Sequence, residues 1–326
     1  MGKEVPLPPE LLHLIKEEIP LTDLRSHVCF FKASPVFAAL YGDVTRQERF
    51  WERACLSVGL GAPDGDADEE YWKAVAFECI EKDGWCKHSQ CGVNRLQWNA
   101  EQMQALNLPD FTWTALRESI QSVVRLEDCP DNFAISPLFE YVSFHYTSTC
   151  GATPKQDVLL DYRNGNVEDE ENPANLLCNH PIASRSFAVF PPVDHVWVLD
   201  IGYESKEIQN VDGVTVSNVM DGIWKRMDRD ITAEGFADKP RECDLQEAIG
   251  ELFKVDPSAA LKRVKSEREF FYYFRLNGFS FEEWWTWGDM VSKGGPWLLT
   301  NHRLARISRP KGTDPRKCET IAAPGG

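Results

Sequence analysis

Apolar residues recur at helical spacing through the first sixty positions. In LPPELLHLIKEEI, Leu11, Leu12, Ile15 and Ile19 form one stripe. Pro8 and Pro9 suit a helix start, where a missing N–H has no intrahelical partner to lose. Glu10 suits the positive end of the helix dipole, and Pro20 stops the segment. A second helix is predicted over Leu21 to Phe31, with Thr22 or Asp23 as its cap. A third follows, with Ser34 as N-cap, Pro35 at the first helical position and Gly42 just past its end. A fourth brings Phe50, Trp51, Ala54 and Cys55 to one face and closes at Gly59. The Gly-, Pro- and acid-rich stretch LGAPDGDADEE then reads as a loop or hinge. A fifth helix is predicted from about Glu69 to Lys82, with Trp72, Val75, Ala76, Cys79 and Ile80 on one face.

From about Phe133 the period changes. LFEYVSFHY alternates, DVLLDY follows a turn at Gly151, and FAVFPP and HVWVLDIGY add two more strands around Pro191 and Pro192. Val214 and Val216 are predicted to end a strand. Ser217 then caps a helix lined by Val219, Met220, Ile223, Trp224 and Met227. DLQEAIGELF suggests one more short helix. The stretch from Leu261 to Asp289 is basic and then strongly aromatic. The fold class expected is α+β: an N-terminal helical module over 1–60, a helical linker region over 61–130, and a mixed α+β domain with an antiparallel sheet over 131–326.

The N-terminal stretch resembles an F-box. It carries Leu7-Pro8, Glu10-Leu11-Leu12, Ile15, Ile19-Pro20, Asp23-Leu24 and Trp51 in the family's order and spacing. It departs from the family at Cys29-Phe30-Phe31-Lys32, where a basic-Trp element is usual, and the segment before Trp51 is stretched. The resemblance implies docking to a Skp-type adaptor, and through it to a cullin ubiquitin ligase, by Leu7, Pro8, Leu12, Ile15, Ile19 and Leu24. A motif this short cannot bury both faces of its helices alone, so an apolar stripe must meet a partner or the rest of the chain. A packed N-terminal cap is the competing reading.

A second stretch, from about Pro181 to Phe281, resembles a domain of unknown function widespread in mushroom-forming fungi. Pro191-Pro192, Val198, Ile201, Val214-Thr215-Val216, Val219 and Gly278-Phe279 carry that resemblance. It implies an α+β body and no known chemistry.

Charge narrows the partners. The chain has 35 Lys and Arg against 51 Asp and Glu, a formal net charge of −16 over 326 residues. Such a surface repels phosphates, so nucleic acid is an unlikely partner. With 43% hydrophobic and 11% aromatic residues the chain can bury a real core. No apolar run approaches the ~20 residues of a membrane span, so no membrane contact is expected. The opening MGKEVPLPPE lacks the features of a secretory signal, and the ten cysteines are scattered. A cytoplasmic or nuclear location with reduced thiols is the expectation.

Catalytic strings are missing: no nucleophile elbow, P-loop, His-Glu-x-x-His or kinase set occurs. Asp194-His195 is the most site-like pair, but neighbours on a strand face opposite sides. No catalytic residue and no cofactor are therefore expected. Cys79, Cys86, His88 and Cys91 are zinc-ligand types, yet their spacing does not match paired zinc ligands, and Cys79 is explained as a helix-core residue. Ordinary cysteines and no metal are the expectation. The loop from Asp161 fails as a calcium loop because Arg163 stands where a carboxylate is needed. Trp284, Trp285 and Trp287 could present a surface for a target or ligand, or anchor an ordinary core.

The leading functional expectation is a non-catalytic substrate receptor of a Skp-cullin-F-box type ligase, with the adaptor at the N-terminus and a target protein on the C-terminal module. The alternative is a small-molecule binder or enzyme with an aromatic-lined pocket, the F-box-like helices being an integral cap. WD, leucine-rich and kelch repeat periods are all missing.

Overall fold

Proline starts and side-chain caps set the first helices in place. The computed structural model describes residues 7–62, 71–108, 110–124, 134–144, 158–160, 173–199 and 205–227, and four short strands between 274 and 306. Helix α1 is Pro9–Glu18, with Pro9 at its first position. Asp23 caps α2, Leu24–Ala33, by accepting from the Ser26 N–H at 3.0 Å. Ser34 caps α3, Pro35–Ala39, and Asp43 caps α4, Val44–Ser57, through the Val36 and Arg46 N–H groups. Helix α5, Tyr71–Glu78, runs on into a π-helical turn, Cys79–Asp83.

These helices share one core. Trp51 is fully buried, and the rings of Phe31, Tyr41, Phe50 and Phe77 surround it at 5.1–5.7 Å between centroids. Edge-on contacts dominate, as the ring quadrupole favours. The same cluster takes in Leu24, Val28, Ala54, Cys55, Val58 and Leu60. It continues into Val75, Cys79, Ile80, Leu96 and Ile182. The core therefore crosses position 60 without a break.

Two further helices, α6 at Gly92–Ala105 and α7 at Trp113–Val124, pack beside it. Both fall in the stretch expected to be a helical linker, where the periodicity places neither helix individually. Arg95 and Asn99 of α6 are buried, and Asn99 donates to Ser186 Oγ at 3.0 Å and to the Gly59 carbonyl at 3.4 Å. Gly59 has φ +65, and a Cβ there would sit 2.9 Å from both Asn99 and the Phe190 ring. Only glycine allows that close approach.

Among the described residues, the second half is built from short strands and two helices. β1, Ala134–Ile135, pairs antiparallel with β4, Val189–Phe190. β2, Val142–Phe144, pairs antiparallel with β3, Val158–Leu160. Helix α8 is Pro181–Arg185. β5, His195–Leu199, runs antiparallel to β6, Ser205–Gln209. Helix α9 is Val216–Met227. Four late strands follow: β7 Phe274–Arg275, β8 Phe279–Ser280, β9 Trp297–Thr300 and β10 Ala305–Arg306. The largest sheet has the order β6-β5-β9-β8, with β5 and β9 parallel and the other two pairs antiparallel; β7 pairs with β10.

The chain is thus α+β, as expected, with local differences. The first three residues of LFEYVSFHY, 138–140, belong to a 3-10 turn that Pro137 opens. Val214 ends no strand, and Thr215 rather than Ser217 caps α9. Thr215 Oγ1 accepts from the Asn218 N–H at 3.2 Å, while Asn218 Oδ1 accepts from the Thr215 N–H at 2.9 Å. Around this helix Val189, Val193, Val196, Ile208, Val216, Val219 and Met220 close a second core. No helix of the described residues is long and apolar enough to cross a membrane.

Candidate functional site

Helix α1 presents two apolar faces with different fates. Leu12 turns inward and is 4% exposed. One turn on, Lys16 donates to the Leu40 carbonyl at 3.0 Å and lies 4.6 Å from the Tyr41 ring centroid. Burial holds its ammonium below the usual lysine range. Ile19 is half-buried on the same side. On the other side, Leu7, Leu11, Leu14 and Ile15 are exposed by 42–53%. Their spacing puts the helical ones on one stripe. Val36 of α3 is also exposed.

The six residues expected to dock an adaptor therefore divide. Leu7, Pro8 and Ile15 lie open, and Ile19 is partly covered. Leu12 and Leu24 are core residues, which corrects the expectation for them. Leu11 and Leu14 also belong to the open stripe, although the expected docking set does not contain them. The signal was present in the paired apolar residues 11–12 and 14–15, whose arc is too wide for one buried face.

Beneath α1, His27 of α2 sits against the Phe50 and Tyr41 rings, with its Nδ1 3.0 Å from the Tyr41 hydroxyl. Burial pushes its pKa down to about 4, against the attraction of Asp23, so the ring is neutral at pH 7.

A second cluster gathers where the π-helical turn meets α8. Asp83, Cys86, Cys91 and His180 each bring one donor atom within 4.8 Å of the others. Two of these, Cys86 and Cys91, come from the sequence-derived set. Cys79 does not join them; it is wholly buried in the Trp51 core, where burial pushes its thiol up to about 12. His88 has its ring 5.7 Å from that of His180 but is not among the four donors. Asp83 and His180 were missed, because an aspartate among many acids carries no local signal and His180 is remote in sequence. Burial of His180 works against its protonation, but the Asp83 carboxylate and the Ala174 carbonyl outweigh it and raise its pKa.

Asp194 and His195 do pair, with Oδ1 and Nδ1 2.8 Å apart. Strand alternation does not separate them, because β5 begins at His195 and Asp194 lies before it. Trp284, Trp285 and Trp287, the Arg163 loop and the helix expected at DLQEAIGELF lie outside the described residues.

Comparison of the chain with family models, with curated proteins and with solved structures gives no match.

Proposed function

We propose that the chain is a substrate-receptor subunit of a Skp-cullin-F-box type ubiquitin ligase, with α1 as its docking helix and the C-terminal module holding the target protein. One observation carries this reading. The segment that resembles an F-box keeps Leu7, Leu11, Leu14 and Ile15 open while its opposite face is locked onto the core by Leu12 and Lys16. A fully buried leucine contributes about 1.5–3 kcal/mol. Four that are already half covered still offer several kcal/mol to a partner groove, less the cost of ordering the complex. The adaptor would thus be held by apolar burial from a helix that its own fold has already oriented. No bond is made or broken by the chain in this role.

Co-expression of the full chain with a Skp-type adaptor tests it. The wild type is expected to co-purify with the adaptor. Leu11→Glu combined with Leu14→Lys is expected to lose it, since both place a charge in a desolvated contact. Failure of the wild type to co-purify overturns the proposal, as does retention of the adaptor by a folded double variant. Leu12→Asp is unsuitable as a test, because it would attack the core.

A further inference from the structure

The cluster at the start of α6 has the composition and the supporting contacts of a metal centre. Its donors are two thiols, an imidazole nitrogen and a carboxylate oxygen, four in number and all within 4.8 Å of one another. Asp83 is 1% exposed, Cys91 0% and His180 7%. Cys86 and Cys91 are separated by four residues, within the spacing that paired zinc ligands use.

The surrounding groups orient these donors. His180 Nε2 lies 2.6 Å from the Ala174 carbonyl, so its N–H is donated there. Nδ1 is then left facing Asp83 Oδ1 at 3.3 Å. An imidazole lone pair and a carboxylate oxygen at that distance need a proton or a cation between them. The other carboxylate oxygen, Asp83 Oδ2, accepts from the Ile182 N–H at 3.1 Å. The His88 N–H points at Cys86 Sγ from 3.4 Å, which orients that sulfur. A histidine fixed through its far nitrogen by a carbonyl, and a carboxylate fixed through its far oxygen, are the usual outer supports of a metal site.

The loop is also shaped for closure. Gly92 has φ +60, and a Cβ there would lie 2.5 Å from the Cys86 carbonyl and 3.2 Å from that of Asp83. The chain can therefore fold back tightly enough to set Cys91 beside Cys86. Their sulfurs are 3.0 Å apart. That is far beyond a disulfide bond of ~2.05 Å. It is short of the roughly 3.8 Å that two thiolates subtend on tetrahedral zinc, so less than ~1 Å of spreading accommodates the ion.

We propose that Asp83, Cys86, Cys91 and His180 form a closed, four-ligand zinc site, with Cys86 Sγ, Cys91 Sγ, His180 Nδ1 and one Asp83 oxygen as ligands. Thiolate and imidazole together select zinc over calcium or magnesium, which take oxygen donors. Four protein ligands leave no open position, so the role is structural rather than catalytic. Zinc entry displaces the two thiol protons and the proton held between His180 and Asp83. The ion would clasp the end of the α5 segment and the start of α6 to the start of α8. Cys91 packs in the core around α9 and Ile182 in the core around Trp51, so the clasp joins the two. It is independent of the adaptor-docking reading.

The test is elemental analysis of the full chain, expressed with zinc and purified under reductant. About one zinc per chain is expected. X-ray absorption at the zinc edge should show two sulfur and two nitrogen or oxygen ligands. Cys91→Ser and His180→Asn should each lose the metal, whereas Cys79→Ala should keep it. Cobalt added to metal-stripped wild type should give tetrahedral thiolate-to-cobalt absorption, a readout that needs no variant to fold. The proposal is overturned if folded wild type holds no stoichiometric zinc and gives no such cobalt spectrum. Three sulfurs in the first shell, retention by Cys91→Ser, or a Cys86–Cys91 disulfide in the reductant-purified chain would overturn it equally.

Discussion

Helices α1 and α4 belong to the same N-terminal bundle but use their apolar residues in opposite ways. α4 reads as a mostly polar segment, VTRQERFWERACLS, yet Trp51, Ala54, Cys55 and Leu56 are all wholly buried. α1 is richer in leucine and isoleucine, yet Leu12 is the only residue it buries fully enough to count as core. Apolar content therefore does not rank these helices by their contribution to stability. What matters is the match between the width of the apolar arc and the face that the neighbours can cover. In α4 the end of the helix is covered on more than one side, Trp51, Ala54 and Cys55 packing in the cluster of aromatic rings and Leu56 in a separate cluster with Met103, Trp113 and Leu116. In α1 the arc runs through residues 11, 12, 14 and 15, wider than any one neighbour reaches, and the surplus faces outward.

The largest effect that could break this contrast is at Trp51. Trp51→Ala should cost about 3–5 kcal/mol, because a fully buried indole is lost and the four surrounding rings cannot collapse into its space. Urea denaturation read by fluorescence and by circular dichroism would measure it. A loss under ~1 kcal/mol would mean that α4 is not the anchor described.

Leu12→Ala comes next, at about 2–3 kcal/mol, since it is α1's one deeply buried side chain. The same truncation at the exposed Leu14 should stay within ~0.5 kcal/mol. If the two cost the same, the inner and outer faces of α1 have been misassigned.

This contrast also marks what could be read from the sequence. Helices α2 and α3 were legible because Asp23 and Ser34 cap them through their own side chains, and α1 because Pro8 and Pro9 open its apolar stripe, signals confined to a few residues; the cap that Asp43 supplies to α4 was not anticipated. α6 was not, because its inward face carries Arg95 and Asn99. Arg95 finds its partner in Gln90, with its Nη2 2.8 Å from the Gln90 Oε1. Polar residues whose partners appear only on folding hide the hydrophobic period. The parallel pairing of β5 with β9 joins segments about a hundred residues apart, and no local pattern encodes it. The Asp83–Cys86–Cys91–His180 cluster was half legible for the same reason. Cys86 and Cys91 are neighbours in sequence, whereas His180 reaches them only when α8 docks on the π-helical turn.

A third effect is pH-dependent and reads the seam between the two helices. His27 is held near pKa 4 in the folded chain, against 6.5 in an unfolded one. Between those values the unfolded state binds more protons, so stability rises with pH. The contribution is complete above about pH 6.5 and is lost as the pH falls toward 4, on the order of 3 kcal/mol in all. His27→Phe removes the titrating group and keeps a ring beside Phe50. Its stability should therefore vary less than the wild type's between pH 7 and pH 4.5. Equal slopes in the two proteins would show that the ring is not buried as described. His180, whose raised pKa contributes with the opposite sign, is untouched by this substitution and cancels in the comparison.

The smallest effect is the sharpest separation of the two helices. Leu11→Glu with Leu14→Lys should change folding stability by no more than ~0.5 kcal/mol, because both side chains already stand in water. The signs are chosen from the helix itself. Position 11 lies in the first turn, where a negative charge complements the dipole. Position 14 stands four residues from both Glu10 and Glu18, so a positive charge there gains i,i+4 partners of about 0.2–0.5 kcal/mol each. A structural stripe would respond to such charges by unfolding, whereas a docking stripe leaves the thermal midpoint in place and gives up only its partner. If the double variant melts well below the wild type, the outer face of α1 is holding the fold together, and α1 and α4 are then two versions of the same packed helix.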